Sequence, residues 1–317
     1  MFFKNENLDE RCIEKLNNLV KELNSENRIL RTSSEYKRGK NISLLLDAIS
    51  HFNVKPVIDL LKLRYNLKLA DKYCKPTPFL YNYNTDKGKN QILSNSKIAI
   101  YTCIFGNYDK IYEPKFIPNN CDFYIITDQF TVNNSCFKVI NPNKYEILEL
   151  DNIKRNRFFK MNPHLIFPDY EYSIYIDGNI EVYSDLTELV NKIPKSGIAF
   201  HAHNKRNCIY NEYEVCKLLG KGDSEKTKKQ INSYKEDGFP NGFGMVEANV
   251  IARQHNNPIC KDIMADWWKE YSIWGGRDQI SLPYVIWKHD LKISEIATLG
   301  ENVHVNPGIR IYNHKRG

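Results

Sequence analysis

No stretch of this chain approaches the roughly 20 consecutive apolar residues that a membrane-spanning helix needs, which argues against the integral helical membrane classes. None of the eight cysteines (Cys12, Cys74, Cys103, Cys121, Cys136, Cys208, Cys216, Cys260) belongs to a Cys-x-x-Cys pair or a zinc-like cluster, so reduced, mostly buried thiols are expected. No Gly-x-Gly-x-x-Gly fingerprint or phosphate loop is present, which leaves a dinucleotide or ATP site without its usual backbone cradle. Met1-Phe2-Phe3 gives way at once to Lys4-Asn5-Glu6, which is no signal-peptide core, and a cytoplasmic chain is the expectation. Internal repeats are absent as well.

What is present is a folded-protein composition: 317 residues, 42% of them apolar, enough for one substantial core with an appendage. The formal charge of +7 is uneven, because residues 1–96 carry 17 Lys+Arg against 11 Asp+Glu while the rest carries 28 against 27. Leu8, Cys12, Leu16, Leu19 and Leu23 recur at spacings of four and three, which predicts an amphipathic helix over 8–31, with further helices over 41–51 and 55–71. Residues 1–75 thus read as a basic helical appendage, a solvated face that offers peripheral membrane contact, docking to a synthesis complex or homo-oligomer formation. No nucleic-acid-binding module is recognisable there, and no nucleic acid is expected. The Pro-, Asn- and Gly-rich stretch 76–96 reads as a linker to a domain over 97–317.

From Lys97 short apolar runs alternate with helical patterns, the signature of an α/β domain with a mostly parallel, Rossmann-like sheet flanked by helices. Strands are expected at 97–105, 122–127, 172–177, 197–201 and 243–251. Helices are expected at 152–163, 185–192, 258–271 and 278–288, and the lysine-rich stretch 221–237 shows no regular pattern.

The strand Tyr172-Ser173-Ile174-Tyr175-Ile176 ends on Asp177-Gly178-Asn179. At the carboxyl end of a parallel strand these oxygens open onto the crevice where α/β folds bind ligands, and a hard divalent cation, Mn²⁺ or Mg²⁺, accepts such oxygens. The first strand ends similarly in Thr102, then Phe105-Gly106-Asn107-Tyr108, a glycine-bearing bend beside aromatic rings on which a base can stack. The second ends on Asp128, placed to accept from a base or ribose. Between them, Arg155, Arg157 and Lys160 make a basic helix able to meet a pyrophosphate. Glu247 and Asn249 alternate with apolar neighbours, so both are expected to face one side and grip sugar hydroxyls, and His203 with Arg206 follows a strand end. Asp278 opens a helical run as a general base, a sugar-binding carboxylate or an N-cap. His304 or His314 is the candidate to complete a metal shell with Asp177 and Asn179.

The ordered series Tyr101-Thr102 through Tyr108-Asp109, Tyr124 through Asp128, Arg155-Asn156-Arg157 with Lys160, Tyr175 through Asn179, His203 through Glu212, Glu247 through Arg253 and Arg277-Asp278-Gln279 resembles the glycosyltransferase-like family first catalogued as domain of unknown function 616. The resemblance covers about residues 97–315 and implies a glycosyltransferase-A-like fold, a nucleotide-sugar donor site and a glycan acceptor. It also implies that Asp177 and Asn179 stand where the Asp-x-Asp metal motif would be, with a neutral amide replacing one carboxylate. Asp278-Gln279 is similar to a pair that lines the donor sugar in family-8 retaining transferases. A competing expectation is a non-catalytic nucleotide-sugar or glycan-binding module of a polysaccharide-synthesis complex.

Overall fold

The computed structural model describes residues 55–79, 96–129, 135–145, 147, 149–221 and 224–314, together with Asn18 and Glu22. The helices expected over 8–31 and 41–51 lie outside the described residues apart from Asn18 and Glu22. Helix α1 (Lys55–Ala70) agrees with its expected bounds, with Pro56 in the first turn where its missing N–H costs nothing.

A six-stranded sheet forms the centre of the molecule, in the order β3 (Lys138–Ile140), β2 (Cys121–Thr127), β1 (Ile98–Ile104), β4 (Tyr172–Ile176), β7 (Val246–Arg253), β6 (Ile198–Ala202). Pairings β3–β2, β2–β1 and β1–β4 are parallel, while β7 runs antiparallel to both neighbours, so β7 alone breaks an otherwise parallel sheet. Every residue of β1 is buried, as a run Ile-Ala-Ile-Tyr-Thr-Cys-Ile demands when both sheet faces are covered.

One face packs against helices α2 (Asn152–Met161), α6 (Pro258–Trp274) and α7 (Asp278–Lys288) through Tyr101, Phe159, Phe200, Trp267 and Leu282. The other is covered by Leu186, Leu189 and Val190 of a 3-10 turn and by a small antiparallel sheet, β5 (Ile180–Val182) with β8 (Ile309–Ile311). The expected helix over 185–192 is that 3-10 turn, Thr187–Lys192, whose leading Thr187 N–H is accepted by Asp185. The stretch read as irregular is helix α5 (Ser224–Glu236): Thr227, Gln230, Ile231 and Tyr234 are buried at helical spacing, but half of that inner face is polar, which conceals the period. It packs with α4 (Ile209–Leu218), and a short α3 (Pro163–Ile166) and α8 (Ile293–Ile296) complete the set.

The linker expectation over 76–96 is corrected at its start. Thr77 is buried, donates from Oγ1 to the Arg206 carbonyl at 2.9 Å and accepts from the Met245 N–H at 2.8 Å. Its own N–H reaches the His203 carbonyl at 3.0 Å, so residues 75–77 belong to the domain that follows. These are single contacts to a loop, which leave no periodicity in the sequence.

Candidate functional site

The carboxyl edge of the sheet gathers most of the expected residues. Because Ile104 pairs with Thr127, the bend at Phe105-Gly106 lies beside Asp128, whose carboxylate accepts the Gly106 N–H at 2.9 Å. Gly106 adopts φ +63°, a conformation that a side chain resists. Asp177 leaves β4 at the same edge, its N–H donating to the Asn249 carbonyl of β7 at 2.8 Å. Gly178 is required by space, since an added Cβ would stand 2.7 Å from Ile104 Cγ1.

Helix α2 lies on the helical face of the sheet and supplies the cations. Asp151 caps it by accepting the Lys154 N–H at 2.8 Å, and Asn156 ties it to the Cys103 carbonyl at the end of β1 at 2.6 Å. Its last carbonyls are met by Arg253, fully buried, which donates to the Lys160 carbonyl at 2.7 Å and to the Tyr101 hydroxyl at 2.6 Å. A buried guanidinium thereby answers the negative end of the helix.

Arg157 and Lys160, three residues apart, point inward together. Lys160 Nζ lies 2.7 Å from Asp278 Oδ2 and 3.7 Å from Asp177 Oδ1, and Arg157 Nε lies 3.1 Å from Asp278 Oδ2. The Lys160 ammonium also stands over the rings of Tyr175, at 5.2 Å, and Trp267, at 5.9 Å. Burial alone would raise the Asp278 carboxyl, but Arg157 and Lys160 outweigh it and hold the group well below the usual carboxylate range. Conversely, despite burial the Asp278 charge raises Arg157 further above its ordinary value. Asp278 thus holds Arg157 and Lys160 beside Asp177, and its side chain does not cap α7.

Other expected residues divide. Tyr108 is 58% exposed, free for stacking on one side and 5.1 Å from the His314 ring on another, whereas Phe105 is core, stacked on Phe159 at 5.9 Å. Asn107 is exposed at φ +55°, and Thr102 is buried, its Oγ1 without a protein partner. Arg155 is half-buried on α2 beside the inward pair, and Gln279 accepts from Arg277 Nη2 at 2.8 Å. His203 accepts the N–H groups of Lys205 and Arg206 at 3.2 Å each, and burial brings its pKa down to about 4, so it is a neutral turn-former and no phosphate cation. Arg206 pairs with Glu212.

Glu247 and Asn249 do not share a face, contrary to the alternation expected. Along β7 the pairing with β6 jumps from Phe200–Ile251 to His201–Glu247, a bulge that takes up residues 248–250. Val246 and Ala248 therefore pack in the same layer as Ile251, while Val250 and Ala252 pack in the other. Asn249, its Oδ1 without a protein partner, stays on the side of Ile251 beside Asp177; Glu247 turns to the opposite face, where Oε1 accepts the Asn204 N–H at 3.4 Å. Burial raises the Glu247 carboxyl to about 7.

The expected metal shell does not assemble. Asn179 donates from Nδ2 to the Tyr312 carbonyl at 2.6 Å, and its Oδ1 is shut off from solvent. His314 Nδ1 is 2.9 Å from Asp109 Oδ2, an interaction that raises its pKa with a smaller contribution from Asp177; His304 instead lies in the field of His201 on β6. Asp177 faces the Lys160 ammonium, and among the described residues no three His, Cys, Asp or Glu side chains converge as ligands. The residues as arranged do not fit a divalent cation. Asp109, Arg253 and Glu212 stand in the series that carries the family resemblance but were given no role there; no local pattern marks them, and only the fold supplies their partners.

The carboxyl edge of the sheet thus brings together a glycine bend, the Asp177 loop, buried Lys160 and half-buried Arg157, at the place where α/β folds commonly bind ligands. The chain belongs to the TOD1/MUCI70 glycosyltransferase-like domain family, whose model matches residues 82–305. It is 26% identical over 216 residues to the probable hexosyltransferase MUCI70 of Arabidopsis thaliana, covering 59% of this chain and 37% of that protein. It is 20% identical over 245 residues to the alkaline ceramidase TOD1 of the same plant, covering 66% of this chain and 52% of that one. The chain thus spans from about a third to about half of the curated relatives it matches. Among solved structures, the bifunctional glycosyltransferase WbbM in its apo form aligns with a TM-score of 0.38 at 10% identity, covering 61% of this chain and 37% of that chain.

Proposed function

We propose that this domain transfers a sugar, a hexose by the name of one plant relative, from a nucleoside-diphosphate donor to a glycan acceptor such as a cell-surface polysaccharide. The observation that carries this reading is the pair of buried Lys160 and half-buried Arg157 on α2, both held by Asp278 beside the Asp177 loop. When the glycosidic bond to the donor breaks, the departing diphosphate gains negative charge. Two cations, one desolvated and one partly so, already fixed in place by Asp278, stabilise that charge with little reorganisation. Gly106 lets the backbone approach the phosphates, Asp128 meets the ribose and Tyr108 offers a ring to the base. Asn249 Oδ1, buried without a protein partner, accepts from a sugar hydroxyl. Charge neutralisation rests with Arg157 and Lys160, so turnover is expected to persist in a chelator and to gain little from Mn²⁺.

The ceramidase name of the second relative points to another reaction class, amide hydrolysis, which needs an activated water. A carboxylate held as an anion by two cations is a weak base for that task and a good support for an anionic leaving group. Purified protein assayed against a panel of nucleotide sugars for donor hydrolysis and transfer tests the proposal. Asp177→Ala is expected to abolish turnover while melting within a few degrees of the parent, since that carboxylate is 26% exposed and its loss leaves Lys160 paired with Asp278. Saturable donor binding with no turnover in the parent would make the domain a binding module instead.

A further inference from the structure

A second charged cluster lies next to the Asp278 centre, and the transfer just described makes no use of it. Glu212, in the first turn of α4 and 3% exposed, pairs with Arg206 through Oε2 and with Arg277 Nη2 at 3.6 Å through Oε1. The same Oε1 also accepts from the Cys216 thiol at 3.4 Å, so both of its oxygens are engaged. Lys221 stands in the same field: partial burial, then the like charges of Arg277 and Arg206, lower its ammonium's pKa. Arg206, Arg277 and Lys221 thus share the field of Glu212, while Arg277 also lies in the field of Asp278, which Arg157 and Lys160 already engage, and Arg206 in that of Glu247. Arg277 has one further acceptor, Gln279, and its Nε is shut off from solvent without a protein partner. The guanidinium groups of Arg206 and Arg277 thus carry more donors than Glu212 and Gln279 accept, which is costly in a partly desolvated place unless an anion enters.

The position of the cluster says which anion. Gly275 and Gly276, at φ +65° and +68°, reverse the chain after α6 and bring Arg277 beside Asp278; Arg206 follows the carboxyl end of β6. In the sheet order β6 lies two strands beyond β4 and four beyond β2, roughly 10 Å and 19 Å at the usual strand spacing. A donor engaged at Asp128, Gly106 and Lys160 occupies the β2–β1–β4 side, and the β6 side is left for the acceptor.

We propose that Arg206 and Arg277 form an oxyanion subsite for the acceptor, so that the molecule glycosylated is an acidic glycan carrying a carboxylate or phosphate group close to the hydroxyl that receives the sugar. This inference rests on the transferase reading for the word acceptor, but the subsite itself does not. Guanidinium groups present parallel donors that match either oxyanion.

Calorimetric titration of the whole chain with a glucuronate-containing tetrasaccharide, with its carboxyl-reduced neutral counterpart and with inorganic phosphate as competitor tests it. The acidic sugar is expected to bind at least ~10-fold more tightly than the neutral one, as befits charge-assisted hydrogen bonds. Arg277→Gln should bring the two within ~3-fold of each other by removing one such donor. Glu212→Gln removes the competing carboxylate and should tighten acidic binding several-fold, a gain that a purely structural ion cluster does not predict. If Glu212→Gln fails to fold, the affinity ratio in Arg277→Gln decides. Stronger competition by phosphate than by free glucuronate assigns a phosphorylated acceptor, and the reverse assigns a uronic acid; either supports the subsite. Equal affinity for acidic and neutral sugars overturns it, as does an affinity ratio unchanged in Arg277→Gln. Donor binding, followed separately by thermal shift with nucleotide sugars, distinguishes the two claims: its absence alongside intact acidic-sugar binding would remove the transferase reading and leave the anion subsite standing.

Discussion

Lys160 is the side chain on which the candidate centre depends most. Its ammonium joins Asp278 to Asp177 in a setting where Lys160 and Asp278 are almost fully buried, so removing it leaves an anion in a desolvated place. Lys160→Ala is expected to cost about 3–5 kcal/mol of stability, read from denaturant titration, and to lower turnover by at least about 100-fold, as loss of a transition-state charge partner does. Glu247 carries a different prediction. Its carboxyl is neutral-favouring in the fold, raised by burial from 4.5 to about 7, so the stability it contributes is fully present below its unfolded pKa and is lost as pH rises through the folded value. The melting temperature should therefore carry a declining component between pH 4.5 and about 7 that Glu247→Gln removes.

At the scale of elements, the loop after β4 is positioned by close packing as much as by hydrogen bonds. Gly178 lies against Ile104 of β1, and because Ile104 is itself core, the contact cannot be relieved by swinging a flexible tip aside. Gly178→Ala is expected to destabilise by about 1–3 kcal/mol, in the range of overpacked cores, and to displace Asp177 enough to raise KM for the donor. Unchanged melting and kinetics would mean that the loop has room the packing does not show. The bulge in β7 matters in the same way. It leaves Asn249 on the side of Ile251 and turns Glu247 to the opposite face, so two residues that read as a pair in the sequence are separated.

Across the whole molecule, the segment 75–77 ties the chain before the sheet to the loop after β6. Thr77 contributes one hydroxyl that both donates to Arg206 and accepts from Met245. Thr77→Val keeps the shape and removes both bonds, leaving a buried N–H and a buried carbonyl unsatisfied. A loss of about 1–3 kcal/mol is expected in thermal or denaturant unfolding, together with weaker binding of acidic sugar because Arg206 loses its backbone anchor. A stability unaffected by the change would show that 75–77 only rests on the domain.

The sequence by itself determined the sheet and its working edge. The buried run of β1, the abrupt stop of β4 on Asp177, and α7, whose residues 278–288 match the expected helix, were legible because hydrophobic period and turn residues are local properties. Helix α5 was not, since its inner face uses Gln230 and Thr227 where the period needs apolar residues. Tertiary structure alone decided which polar groups meet: that Arg157 and Lys160 turn inward, that Asp278 holds them, that Asn179 bonds to Tyr312, and that Arg277 joins Arg206 around Glu212. Pairing of that kind depends on residues far apart in the chain reaching hydrogen-bond distance, as Asn179 and Tyr312 do across 133 positions, and no local pattern in a chain records it.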